Sequence, residues 1–263
     1  MYLWKYWRES RTALIFAAVL LSLLTVLVVQ AEIKMNHATG LHFKVEDFPQ
    51  FGGFFVAALY TQAGVLAFIA WLMGGVGVGR NLGEDCGSYL LTRPRRRSWF
   101  LWHDWAYGMA ELAVIVAATN LVIWQLAHYL MMRFHDPLHG RIAFHGGGGE
   151  YLLSALMGLI FLCVLLFCGL VFSVTYFSTI VLKHARGVVL GAGLLAGYLA
   201  LGMVVKHYWP WVEWPHMVPQ PFDLGHHDIH GLSSSFAFSI VAHTVAMLVF
   251  PAAAQLILDH SDV

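Results

Sequence analysis

A chain of 263 residues that is 59% hydrophobic and only 11% charged carries more apolar surface than a soluble core hides; soluble domains average about 25% charged residues. The surplus implies lipid as solvent. Fifteen Lys and Arg balance fifteen Asp and Glu, so net charge selects no partner. The basic residues form no long solvated face, which argues against nucleic acid.

The first eleven residues, MYLWKYWRESR, set Trp4, Trp7, Arg8 and Arg11 at three- and four-residue spacing. That pattern predicts an interfacial helix on the inner leaflet, with tryptophans at headgroup depth and arginines reaching phosphates. Residues 12–31 form an apolar run with no A-x-A cleavage site, so they read as a span and not a removable signal. Five further runs are long enough to cross about 30 Å of hydrocarbon at about 1.5 Å per residue. They lie at 52–79, 105–131, 151–178, 188–205 and 236–257. The second and fourth exceed the required length and are expected to tilt or protrude. With the N-terminus inside, inner segments hold ten Lys and Arg and outer segments five. The positive-inside rule therefore places both termini in the cytoplasm. The expected architecture is an all-α integral membrane protein of six transmembrane helices in a cytoplasmic (inner or plasma) membrane. No internal repeat or domain boundary is visible, so residues 1–263 read as one membrane domain.

HGGGGE at 145–150 predicts a flexible joint before the fourth span. Segment 206–235 carries Trp209, Trp211 and Trp214 among Pro210, Pro215, Pro219 and Pro221. The prolines forbid one continuous helix and the tryptophans favour the interface, which predicts a re-entrant or surface-lying element. Cys86 lies in a polar loop, and Cys163 and Cys168 share one apolar run. Two thiols five apart on a helix point away from each other, so no disulfide is expected within this chain.

The most informative stretch is NLGEDCGSYLLTRPRRRSWFLWHDW, residues 81–105. It opens on a polar turn, Glu84, Asp85 and Gly87. A short amphipathic helix follows through Tyr89, Leu90 and Leu91, and Thr92-Arg93-Pro94 ends it, because the residue before proline avoids helical angles. Arg95, Arg96 and Arg97 then meet the inner headgroups. Trp99, Phe100 and Trp102 re-enter the interface ahead of the third span. Such a membrane-held knob suits docking to a soluble partner.

This segment resembles the membrane subunits of ATP-binding cassette (ABC) transporters of the type-two permease superfamily. Those carry, between their second and third spans, a glutamate, a glycine, Leu-Leu-Thr-x-Pro, Ser-Arg and then a lysine. Glu84, Gly87, Leu90, Leu91, Thr92, Pro94 and Arg97 match that pattern, whereas Arg96 replaces the serine and His103 the lysine. The motif covers about 25 residues, while the expected architecture agrees along the whole chain. The resemblance implies that 80–104 holds a cytoplasmic coupling helix, docked on a separate ABC ATPase subunit through Glu84 to Pro94. It also implies a homodimer or heterodimer of permeases, and export as the direction. No cofactor is expected on this chain; ATP and Mg belong to the partner, since no GxxxxGK[ST] loop exists here. Glycine-rich 74–83 reads instead as close packing of helix ends.

Glu111, Asn120 and Gln125 are the candidate pathway residues within the third span. Charge at membrane depth is costly, so Glu111 is expected to face protein or water, with His103 a candidate partner on the same face. Asn120, Gln125 and Gln62 are polar residues within spans that line a pathway or tie helices together, with ties the favoured reading. Gly193 and Gly197 form a GxxxG pair expected at a close helix contact, within the chain or at the dimer seam, and His243 reads as a hydrogen-bonded core histidine. Eleven of fifteen histidines fall on the expected outer side. The densest group, His226, His227, Asp228 and His230, supplies metal-ligand types, but adjacent histidines cannot share one helix face. A membrane redox subunit that binds metal or haem through these histidines is the alternative from another class. A membrane scaffold or sensor without transport is a third. Few ionisable residues in the spans and the Trp-rich outer segment suggest an amphipathic or lipid-like cargo.

Overall fold

Five helices account for almost all the residues described in the computed structural model, which are 62–75, 97–133, 148–182, 185–208 and 234–260, with Val19 and Leu23. We label the helices α1 (Gln62–Gly74), α2 (Arg97–Arg133), α3 (Gly148–Leu182), α4 (Ala185–Tyr208) and α5 (Ser234–His260). No strand occurs among the described residues.

Among the described residues four segments are long and apolar enough to cross a membrane: Ser98–Gln125, Gly158–Leu182, Arg186–Val205 and Phe236–Ile257. They correspond to the expected third to sixth spans. Of the expected second span the structure describes α1, an apolar helix shorter than a crossing, and of the first only Val19 and Leu23, which are helical and exposed. The interfacial segment 1–11 and most of 206–235 lie outside the described residues.

Two boundaries differ from expectation. α2 begins at Arg97 and not near 105, so Trp99, Phe100 and Trp102 belong to the helix itself. No residue after Pro94 interrupts a helix, which leaves nothing to separate an interfacial turn from the span. Likewise α3 begins at Gly148, so Gly148, Gly149 and Glu150 are helical where a joint was expected. A glycine in a helix costs about 1 kcal/mol against alanine, too little to stop a 35-residue helix. α1 ends at Gly74, where the Gly75 N–H reaches the Trp71 and Leu72 carbonyls at 3.2 and 3.1 Å and closes the last turn.

By internal contacts the chain divides into two compact units, Met1–Val65 with Val114–Leu162, and Leu66–Ala113 with Cys163–Val263. In the first unit the described core includes Ala63, Ile115, Val116, Ile123 and Ile160. In the second, the C-terminal half of α3 is the hub. Residues Leu166 to Tyr176 are buried without a break, as befits a helix apolar on all sides. Of the membrane segments, 72% of that in α3 is buried against 6% of that in α4.

Hydrophobic burial does not drive helices together in lipid, so contact rests on close packing and polar ties. Glycines create that closeness around α3. A Cβ on Gly74 would fall 2.7 Å from the Phe172 carbonyl oxygen, and one on Gly191 3.0 Å from Thr175 Cα. At Gly187 it would collide with Thr179 Cα and the Ser178 carbonyl. On α5, Gly169 of α3 is met by Met247, whose Sδ would lie 2.6 Å from an added Cβ. The Phe177 and Phe250 rings pack at 5.6 Å. Gly193 and Gly197, the pair expected at a close contact, have no atom within 4 Å of an added Cβ. Within the chain the packing glycines of α4 are Gly187 and Gly191.

The remaining faces are apolar and open: Phe68 and Leu72 on α1, Val189, Leu201 and Met203 on α4, Val241 and Leu256 on α5. Such a surface suits lipid, not water. Pro251 is buried within α5 without ending it, a placement spans tolerate.

Gly187→Ala is expected to cost at least 1–3 kcal/mol, an ordinary overpacking penalty of about that size. Gly193→Ala should be neutral or slightly stabilising, because its Cβ meets only open space. Unfolding of the two purified variants in detergent, side by side, checks the contrast.

Candidate functional site

The stems of the 76–96 segment are α1, which leads into it, and α2, which leaves it. Both are fastened to one short stretch of α3. The Tyr176 hydroxyl donates to the Leu101 carbonyl of α2 at 3.0 Å. The Thr179 hydroxyl donates to the Tyr176 carbonyl at 2.8 Å and lies 3.3 Å from the Gly74 carbonyl of α1. One turn away, the Trp105 indole N–H of α2 donates to Ser173 Oγ at 3.0 Å. Gly108 brings α2 close enough that a Cβ there would meet the Phe172 ring at 2.5 Å.

Two more indoles extend this polar clasp. Trp71, at the end of α1, donates to the Val188 carbonyl in the first turn of α4 at 3.0 Å. Trp102 donates to Gln255 Oε1 of α5 at 2.7 Å. Each partner is placed by helical register: Trp102 and Trp105 differ by three residues, as do Tyr176 and Thr179, so each pair shares a face. Ser178 and Thr175 satisfy their hydroxyls on their own helix, at Val174 O and Val171 O. This lets polar side chains sit in a buried helix without demanding a partner.

On the exposed side of α2, Trp99 stacks on His103 with ring centroids 4.9 Å apart. Glu111 is half-buried and takes a hydrogen bond from Tyr107, one turn earlier. His103 lies eight residues from Glu111, about 12 Å along the axis, so Tyr107 is the neighbour within reach. Asp104 is buried at 8% exposure and engaged by a neighbour. With Tyr107 and Glu111 it makes an i, i+3, i+7 line on one face of α2.

Of the residues singled out in the sequence, Glu84, Asp85, Gly87, Tyr89, Leu90, Leu91, Thr92 and Pro94 lie outside the described residues. So do His226, His227, Asp228 and His230. Arg97 is the first residue of α2. The three pathway candidates do not share a face. Glu111 and Asn120 are nine residues apart, which at about 100° per residue puts them on opposite sides of α2. Gln125 is exposed. Asn120 is engaged by a neighbour, although its buried Oδ1 accepts no hydrogen bond. Gln62, read as lining a pathway or tying helices, is 6% exposed, and neither of its amide atoms has a hydrogen-bond partner among the described residues.

His243 matches its expected role: buried, with Nδ1 2.7 Å from the Ser239 carbonyl. A carbonyl only accepts, so Nδ1 carries the proton. Cys163 and Cys168 are free and buried. Among the described residues no group of three or more His, Cys, Asp or Glu is arranged to hold a metal.

Sequence reasoning missed Asp104 and the clasp. The signal was present in Trp71, Trp102, Trp105 and Tyr176, of which only Trp102 was singled out, as an interfacial residue. An indole or phenol at such a depth needs a hydrogen-bond acceptor once a neighbouring helix covers it.

Comparison with family models, with curated proteins and with solved structures finds no match to this chain.

Tyr176→Phe removes the hydroxyl that joins α3 to α2 and should cost about 0.6–1.7 kcal/mol, the range for hydrogen bonds between membrane helices. Trp102→Phe should cost a similar amount. Combining the two should give a nearly additive loss, because they tie α2 to different helices. A double-mutant cycle by unfolding in detergent measures it.

Proposed function

We propose that this chain is the membrane subunit of an ATP-driven exporter, acting as a dimer with a separate ABC ATPase subunit docked on the loop 80–104. Three things support the reading: the helical, membrane-suited architecture, the Glu84 to Arg97 motif, and the clasp. The clasp carries most weight. A loop that transmits force must have stems that move as one body with the rest of the helices. Here both stems of 76–96 are fastened to α3 between Ser173 and Thr179. A displacement of the loop is thereby delivered to α3, which packs in turn on α4 and α5.

In this mechanism the ATPase subunits approach each other on binding ATP and Mg, and the loop follows them. The clasped ends of α1, α2 and α3 shift together, and access through the membrane switches sides. The switch is driven by the difference in nucleotide affinity between the two states, not by nucleotide binding alone. The exposed apolar helix faces and the scarcity of charge in the spans favour an amphipathic or lipid-like cargo.

The test is co-purification of an ATPase subunit with the tagged chain. Wild type should retain it, and Glu84→Ala and Leu90→Asp should lose it. Tyr176→Phe should retain the subunit while weakening the stimulation of its ATPase activity by cargo, since the clasp lies behind the docking surface. Purification of this chain alone, with every co-expressed ATPase absent from the eluate, overturns the proposal. It would redirect attention to metal content at the outer histidines.

A further inference from the structure

Gln62 stands apart from every other buried polar side chain described above. Its helix turns a single line of residues inward: Gln62, Leu66, Ala70 and Gly74, each four residues from the last and each buried. The opposite line, Gly64, Phe68 and Leu72, is exposed. Gln62 therefore stands on the buried line of α1. It lies twelve residues from Gly74, about 18 Å along the axis, and on the reading of 52–79 as a span it falls near the middle of a hydrocarbon layer of about 30 Å.

At that depth Gln62 presents two N–H donors and one carbonyl acceptor, and no group among the described residues answers any of them. Elsewhere the chain satisfies such groups by returning them to their own helix, as Thr119 does on Ile115 O at 2.8 Å. An unanswered amide costs about 1–3 kcal/mol when it is dry. Among the described residues of this unit, the side chains buried with polar atoms are Gln62 and Thr119, with the Asn120 Oδ1. All are uncharged, so nothing among them would compensate an ion.

We propose that Gln62 forms a hydrated recognition point inside the membrane for an uncharged hydrogen-bonding group, a hydroxyl or an amide. This deepens the exporter reading and rests on it in one respect, that the group recognised belongs to the cargo. Water answers the amide when cargo does not, as buried waters do for polar groups left otherwise unsatisfied.

The test uses the full-length chain in native membranes. Cys86 is replaced by alanine, and the buried Cys163 and Cys168 are kept. Gln62→Cys and Leu66→Cys are compared for reaction with two water-soluble thiol reagents, the neutral 2-hydroxyethyl methanethiosulfonate and the anionic 2-sulfonatoethyl methanethiosulfonate. Thiol reactivity follows access and local charge, so Gln62→Cys should react with the neutral reagent about tenfold or more faster than Leu66→Cys, and faster than with the anionic one. In parallel, Gln62→Leu should unfold in detergent at the wild-type temperature or above, because it removes an unanswered amide. Support requires all three results. Labelling of Gln62→Cys no faster than of Leu66→Cys shows a dry position and overturns the proposal. Equal labelling by both reagents overturns the preference for an uncharged group. A clear drop in the unfolding temperature of Gln62→Leu shows a structural tie and also overturns it. None of these readouts involves an ATPase, so failure here is distinct from loss of co-purification.

Discussion

The close approach of neighbouring backbones to α3 is the constraint on which the second unit depends. In lipid, helices gain nothing by hiding apolar surface from one another, because the acyl chains are as apolar as leucine. What remains is van der Waals contact and polar ties, and both fall off steeply with distance. Gly74, Gly108, Gly187 and Gly191 permit the approach from three helices, and Gly169 opens α3 to Met247 of α5. The short hydroxyl side chains of α3 complete the fit: Ser173, Thr175, Ser178 and Thr179 are small, and each has its oxygen occupied.

That closeness makes the clasp available. Trp105 and Tyr176 reach across a contact that larger residues would hold open, and they exchange polar ties in both directions between α2 and α3. The same economy explains α4. It meets α3 through Gly187 and Gly191 and receives the Trp71 indole on its first turn, while most of its length faces outward. A helix so sparsely buried is stable only where its remaining backbone groups are satisfied internally and its side chains meet lipid.

Much of this was legible in the sequence. The segment Phe236–Ile257 coincides with the run read at 236–257, because hydropathy alone decides where a chain can leave water. The buried, hydrogen-bonded His243 and the absence of a disulfide at Cys163 and Cys168 followed from helical spacing. The start of α2 did not, since Trp99 to Trp102 suit an interface and a helix equally well and only continuity of the backbone separates the two. Which glycines pack was also beyond reach. The GxxxG spacing of Gly193 and Gly197 is shared by Gly187 and Gly191, and spacing cannot say which side of α4 meets α3.

The sequence by itself determined that the chain suits lipid and which four of its described helices are long and apolar enough to cross a membrane, because transfer of side chains between water and hydrocarbon is a local property. The tertiary structure decided which faces those helices turn to each other. It set Trp102 against Gln255 and Tyr176 against Leu101, and it left Gln62 buried with no partner among the described residues. These are pairings across 75 to 153 residues. The hydrogen-bonding capacity of a side chain is written in its residue type, but whether that capacity is met depends on a neighbour that only packing supplies.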